Sequence, residues 1–233
     1  MPSIPLVLIR ILLFGLSIPF WLWLAQARPD SAAIFACVIL AVAASYPVVW
    51  LGRRSLDTKP TKERMEWVTT GVHFLLLLFL GTAILVAVTT ADQWRGWLIP
   101  VDPRISNLLM VITSLIAFMT VINLAVRGLG APFAIALTQR LATDWMYGWT
   151  RNPMVLSTLA FFVAFGLWKQ SALFVLWVLL WLTPAFIFFL KVYEERELEI
   201  RLGKSYLKYR AETPFMWPRR PRIIQKSPQK KRR

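Results

Sequence analysis

The sequence is poor in the residues from which many enzymes build reactive centres. Among 233 residues there is one cysteine, Cys37, and one histidine, His73. A single cysteine excludes an intrachain disulfide. The two together cannot supply a Cys/His metal site or a histidine-based nucleophilic triad, so no metal is expected. Charge is scarce too, at 17% of residues against about 25% in soluble domains. Acids are the rarest charges, 12 against 27 basic residues, which leaves a net charge of +15. Carboxylates, arginine, lysine, tyrosine and asparagine remain as the chemical inventory.

What the chain has in abundance is apolar surface. It is 57% hydrophobic and 14% aromatic, with a mean hydropathy of +0.55. A bilayer core of about 30 Å takes roughly 20 apolar residues in a helix. Residues 5–26, 31–51, 68–90, 105–126, 154–168 and 171–190 read as six such spans, the last two as a tight hairpin about Lys169-Gln170. Arg10 interrupts the first span near its start, where a long side chain can snorkel to the interface. The expected fold is an all-α polytopic membrane helix bundle with a helical C-terminal segment outside the membrane. Prolines 19, 47 and 184 lie inside spans and are expected to kink them.

Basic residues concentrate in the 52–66 loop, the 127–153 loop and the segment from 191 onward. With six spans all three fall on one side, so the positive-inside rule places both termini in the cytoplasm. Trp50 and Trp67 would flank that face, and Trp94, Trp97 and Trp168 the opposite one, as aromatic belts. The expected organisation is an N-terminal group of helices over 1–104, a functional region over 105–218 and a disordered basic tail over 219–233. That tail holds eight Lys and Arg and no acid. Beside a membrane domain its expected partner is anionic lipid rather than nucleic acid.

The spans offer few groups for chemistry or ion transport. His73 and Asn123 are expected to serve helix packing and interhelical hydrogen bonding. Polar residues gather in two segments instead. The first holds Gly128-Leu129-Gly130, then Tyr147 and Arg151-Asn152-Pro153. Pro153 suits the first turn of a helix with Asn152 near its cap. The second begins Tyr193-Glu194-Glu195-Arg196-Glu197 and continues through Gly203, Tyr206, Tyr209, Pro214 and Pro218. Acids beside a basic membrane face run against the charge trend. They read either as partners of Arg196, Arg201 and Lys204 on an exposed helix or as ligands for a cationic or hydroxyl-bearing cofactor.

The order Gly-x-Gly, Arg-Asn-Pro-Met, two apolar helices, Glu-Glu-x-x-Leu, Gly-x-x-Tyr-x-x-Tyr resembles the C-terminal half of the isoprenylcysteine carboxyl methyltransferase and phospholipid methyltransferase superfamily. The resemblance covers residues 127–218. It implies a multi-pass membrane enzyme that uses S-adenosylmethionine and methylates a lipid or lipid-like substrate taken from the bilayer. It also implies cofactor contacts by Gly128, Gly130, Arg151, Asn152, Pro153, Glu194 and Glu195. Tyr147 is expected to join them, with Trp149 the other aromatic that could compensate for a ring missing at position 155, and Arg151 and Glu195 are the expected catalytic residues. Relatives usually carry tyrosine two residues after the proline, where this chain has Val155. The alternative is the same scaffold without methyl transfer, as a reductase-like or cofactor- and lipid-binding protein.

Overall fold

A computed structural model describes residues 4–26, 30–94, 97–128 and 141–219. Over these residues the chain is an all-α polytopic membrane bundle. The long helices are α1 (Ile4–Gln26), α2 (Ser31–Thr58), α3 (Lys62–Thr89) and α4 (Pro103–Gly128). A single turn, α5 (Met146–Trp149), leads to α6 (Pro153–Trp168). Then come α7 (Ala172–Leu202) and α8 (Lys204–Glu212).

Five helices, α1 to α4 and α7, are long and apolar enough to cross a membrane. The fifth expected span, α6, has 16 residues and reaches roughly 24 Å, short of a full hydrocarbon core. Helices run beyond the apolar windows that announce them. The expected 52–66 loop shrinks to Lys59, Pro60 and Thr61, because α2 continues with an i,i+4 pair, Arg53 Nε to Asp57 Oδ2 at 2.6 Å. Side-chain caps set the starts: Asp30 accepts from the Ala33 N–H at 2.7 Å, and Thr61 Oγ1 from the Arg64 N–H at 3.3 Å.

The same overrun shapes α7, which does not stop at residue 190 but carries on to Leu202. Two wide π-turns interrupt its α-geometry, Val178–Leu182 and Phe189–Glu194. The first lies just before Pro184, which has no N–H to give. There the Thr183 N–H and hydroxyl both turn to the Val178 carbonyl, the hydroxyl at 2.8 Å. Gly203 ends the helix at φ +57 and ψ −133, a conformation that a side chain would strain.

α7 is the hub of the bundle. It packs on the α2–α3 hairpin along one flank and on α6 along another, while α4 packs on α6 and α1 on α3. Gly52 makes the first of these contacts close. A Cβ there would stand 2.5 Å from a Val72 methyl and 3.0 Å from the Tyr193 ring. At the far end Trp94, Phe174, Trp177 and Phe35 form an aromatic cluster with ring centroids 5.0–5.7 Å apart.

That cluster corrects the aromatic-belt reading at one position. Trp94 is 2% exposed and belongs to the core, whereas Trp50, Trp67, Trp97 and Trp168 are exposed. Arg10 is also corrected: it does not snorkel. It is 5% exposed, its Nε donates to Thr70 Oγ1 at 2.8 Å and its Nη2 to the Glu66 carbonyl at 3.4 Å. Acceptors on α3 hold it inside the bundle. His73 fills the expected packing role, its Nδ1 2.9 Å from the Thr69 carbonyl and its ring edge-on to Phe189. Asn123 departs from expectation, since its amide donates to a loop carbonyl, that of Asp144 at 3.3 Å, and not to another helix.

Candidate active site

The two polar segments meet where α6 begins and α7 ends. A helix repeats every 3.6 residues, so Glu195 and Glu199 share one face of α7 while Glu197 and Arg201 share the opposite one. The first face looks toward the start of α6 and toward α8. Arg151 Nη1 reaches Glu195 Oε1 at 2.8 Å across 44 positions of sequence and lies 3.4 Å from the Tyr206 hydroxyl. Arg210, on α8, sits 3.6 Å from Glu195 Oε2 and pairs with Glu199. Arg196 bonds Glu199 at 3.2 Å and Asp57 at 2.9 Å. A continuous chain of ion pairs thus runs from the end of α2, through α7 and α8, to Arg151.

The short segment before α6 is held by the chain beyond α8. The Arg151 N–H donates to the Pro214 carbonyl at 2.9 Å, and the Arg219 N–H to the Trp149 carbonyl at 3.0 Å. The Phe215 carbonyl accepts from both Thr150 Oγ1 and Asn152 Nδ2, each at 3.0 Å. The Phe215 ring lies beneath the Arg151 guanidinium, 5.5 Å from its centroid. Residues 214–219 therefore act as a strap across the mouth of α6. Pro153 occupies the first turn as expected, but the Asn152 side chain makes no cap hydrogen bond. The Phe215 carbonyl takes its donor instead.

Three tyrosines close the other side. The Tyr209 hydroxyl donates to the Tyr147 carbonyl at 2.7 Å, which ties α8 to α5. Burial raises the phenol pKa of Tyr147, and the nearby Glu194 carboxylate adds to it. Burial also raises Tyr209, with Tyr147 contributing. Tyr206 is pushed up to about 12, by burial first and then by Glu195. All three stay protonated near neutrality and present hydroxyl donors rather than charge.

Two groups at this site have unspent capacity. Arg151 Nε is buried with no hydrogen-bond partner among the described residues. Glu194 is half-buried, and its carboxylate has neither ion pair nor hydrogen bond among the described residues. A buried donor and a partly buried acid without partners are costly unless something satisfies them.

The sequence-predicted residues are thus partly assembled. Arg151 and Glu195 touch, Tyr147 lies within the electrostatic reach of Glu194, and Asn152 and Pro153 head α6. Gly128 is the last residue of α4, while Gly130 lies outside the described residues, as does the basic tail from 220 onward. Val155 packs against the core. Sequence reasoning missed Arg210 and Phe215. Nothing local marks either one, because their partners are chosen across the fold. The salt-bridged exposed helix is half right. Arg196 and Arg201 do pair with Glu199 and Glu197, but Glu195 looks outward to Arg151 and Arg210.

Residues 103–205 match the family model described as phospholipid methyltransferase. That family shares a membrane methyltransferase superfamily with the isoprenylcysteine carboxyl methyltransferases, so the resemblance read from the sequence holds over this stretch. No curated protein and no solved structure matches the chain. Together with the family match, five membrane-length apolar helices make the chain an integral membrane protein.

Proposed function

We propose that the protein is an S-adenosylmethionine-dependent methyltransferase acting on a lipid or lipid-like substrate, with its cofactor held between the start of α6 and the end of α7. The observation that carries this reading is the pair of unspent groups, Arg151 Nε and the Glu194 carboxylate, inside the matched region. They suit a cofactor with a carboxylate at one point and positive charge at another. Arg151 would hold the carboxylate, with the first turn of α6 after Pro153 adding unpaired backbone N–H groups. Glu194 would face the cationic part, and the Tyr147 hydroxyl stands beside it. Glu195 orients Arg151 through the 2.8 Å ion pair and is itself steadied by Arg210.

The cofactor supplies an already activated methyl group, so the chain's task is placement and exclusion of water. The strap, Phe215 and the three tyrosines serve that exclusion. A carboxylate substrate would need no base. On the positive-inside rule both termini lie in the cytoplasm, and the basic tail adheres to anionic lipid.

The test is calorimetric titration of S-adenosylmethionine into detergent-solubilised protein, repeated with Glu194→Gln and Glu195→Gln, and followed by labelled-methyl transfer into a total lipid extract. Binding by the wild type, weakened about tenfold or more in each variant by loss of a charge-assisted contact, is the expected result. No binding by the wild type overturns the methyltransferase reading. Binding without transfer to any lipid favours the alternative of a cofactor-binding scaffold.

A further inference from the structure

Along the strap a groove of about 590 Å³ opens between α7 and residues 214–219. Ile187, Phe215, Met216 and Trp217 give it an apolar floor, and Lys191 and Arg219 supply its charge. No acid lines it. The Lys191 ammonium rests 4.9 Å over the Phe215 ring, and neither cation has a carboxylate partner among the described residues.

The position of the groove relative to the bilayer follows from α7 itself. No charged residue occurs between 172 and 190, and Lys191 is the first. That uncharged stretch measures roughly 28 Å, about the thickness of the hydrocarbon core. Ile187 therefore lies one turn inside the apolar layer, and Lys191 stands at its edge. Trp217 is 85% exposed in the isolated chain. An indole so placed is stranded in water but well accommodated at a membrane interface. The groove thus straddles the boundary, apolar on the bilayer side and cationic on the water side.

We propose that this groove binds an anionic membrane phospholipid, with the headgroup phosphate between Lys191 and Arg219 and the start of an acyl chain along Ile187, Met216 and Trp217. A net-anionic lipid is preferred over a zwitterionic one because the groove has no carboxylate to receive a headgroup cation. Free phosphate would leave the apolar floor uncovered. The inference rests on the chain being a membrane protein and not on methyl transfer. The site shares Phe215 with the candidate active site, so lipid seated here braces the strap that holds Arg151.

The experiment uses full-length protein in phosphatidylcholine nanodiscs containing either brominated phosphatidylglycerol or brominated phosphatidylcholine. Bromine quenching of Trp217 is read as the fluorescence difference between the wild type and Trp217→Phe, which keeps an aromatic ring in the groove and removes the indole signal. The expected result is stronger quenching by the anionic lipid. Lys191→Gln with Arg219→Gln should weaken its apparent affinity by about thirtyfold, the combined effect of two surface charges, while Lys191→Arg with Arg219→Lys retains it. Equal quenching by the two lipids overturns the proposal. So does quenching by the anionic lipid that the double neutralisation leaves unchanged, since that is bulk adhesion alone. No cofactor is in the sample, so failure of the methyltransferase reading leaves this readout intact.

Discussion

Two charge clusters hang from opposite faces of α7, and they are built differently. On the face toward α1 and α3, Glu197 is 3% exposed and pairs within its own helix, with Arg201 at 3.1 Å. Arg10 is buried alongside, and the Tyr193 hydroxyl bonds Thr69 Oγ1 at 2.9 Å. On the face toward α6 and α8, Glu195 and Glu199 are only partly covered, and their main partners, Arg151 and Arg210, come from other elements. A pair whose acid is buried has little to exchange with, and the charge of Arg10 from α1 beside Glu197 makes the cluster a lock between helices. A half-open network on a helix terminus can trade a protein partner for a ligand. Burial of the acid, 3% exposed at Glu197 against 20% at Glu195, separates the structural cluster from the candidate functional one.

The sharpest way to break that contrast is Glu197→Ala. It strands the Arg201 and Arg10 charges in the bundle and should cost about 3–5 kcal/mol. A thermal melt in detergent reads this as a large loss of stability. Cofactor affinity per folded molecule should stay near wild type, the opposite of Glu195→Gln. If the two variants exchange these phenotypes, the assignment of faces is wrong.

Gly52→Leu attacks the same lock from the α2 side. The added side chain must displace Val72 and Tyr193, and overpacking of this kind costs about 1–3 kcal/mol. Gly203→Ala tests the other cluster, since it strains the turn that sets α8 and Arg210 against α7. A loss of about 1 kcal/mol or somewhat more should appear in the melt, together with weaker cofactor binding. The pH dependence should follow Tyr206. Its folded pKa of about 12 exceeds the ordinary value near 10. The stability tied to its neutral form is therefore complete below about pH 10 and falls as pH rises from 10 toward 12. Melts of Tyr206→Phe and wild type across that window should converge at the alkaline end. The smallest effect belongs to Asp57→Asn. Its pairs with Arg53 and Arg196 are exposed, and such pairs contribute about 0–1 kcal/mol.

Most of the bundle was legible in the sequence. Apolar runs announced the long helices, and the scarcity of cysteine, histidine and acid narrowed the chemistry. The acid pair Glu194-Glu195 and the Arg151-Asn152-Pro153 start were also visible, because each breaks a local trend. Helix ends were less legible. Hydropathy marks where the lipid ends, not where the hydrogen-bonded helix ends, so α2 and α7 ran on past their predicted limits.

The sequence by itself determined the medium this protein lives in, the approximate number of helices and which short segments carry polar chemistry. Hydropathy and charge are additive along the chain, and a bilayer reads them in that form. Only the tertiary structure decided which charges meet. Arg151 and Glu195 are 44 positions apart, and Arg53 donates to the Val192 carbonyl across 139. Arg10 turns inward, Trp94 leaves the belt for the core, and Phe215 takes the amide of Asn152. Each of these outcomes is a competition among partners brought near by packing. No window of local sequence contains the winner.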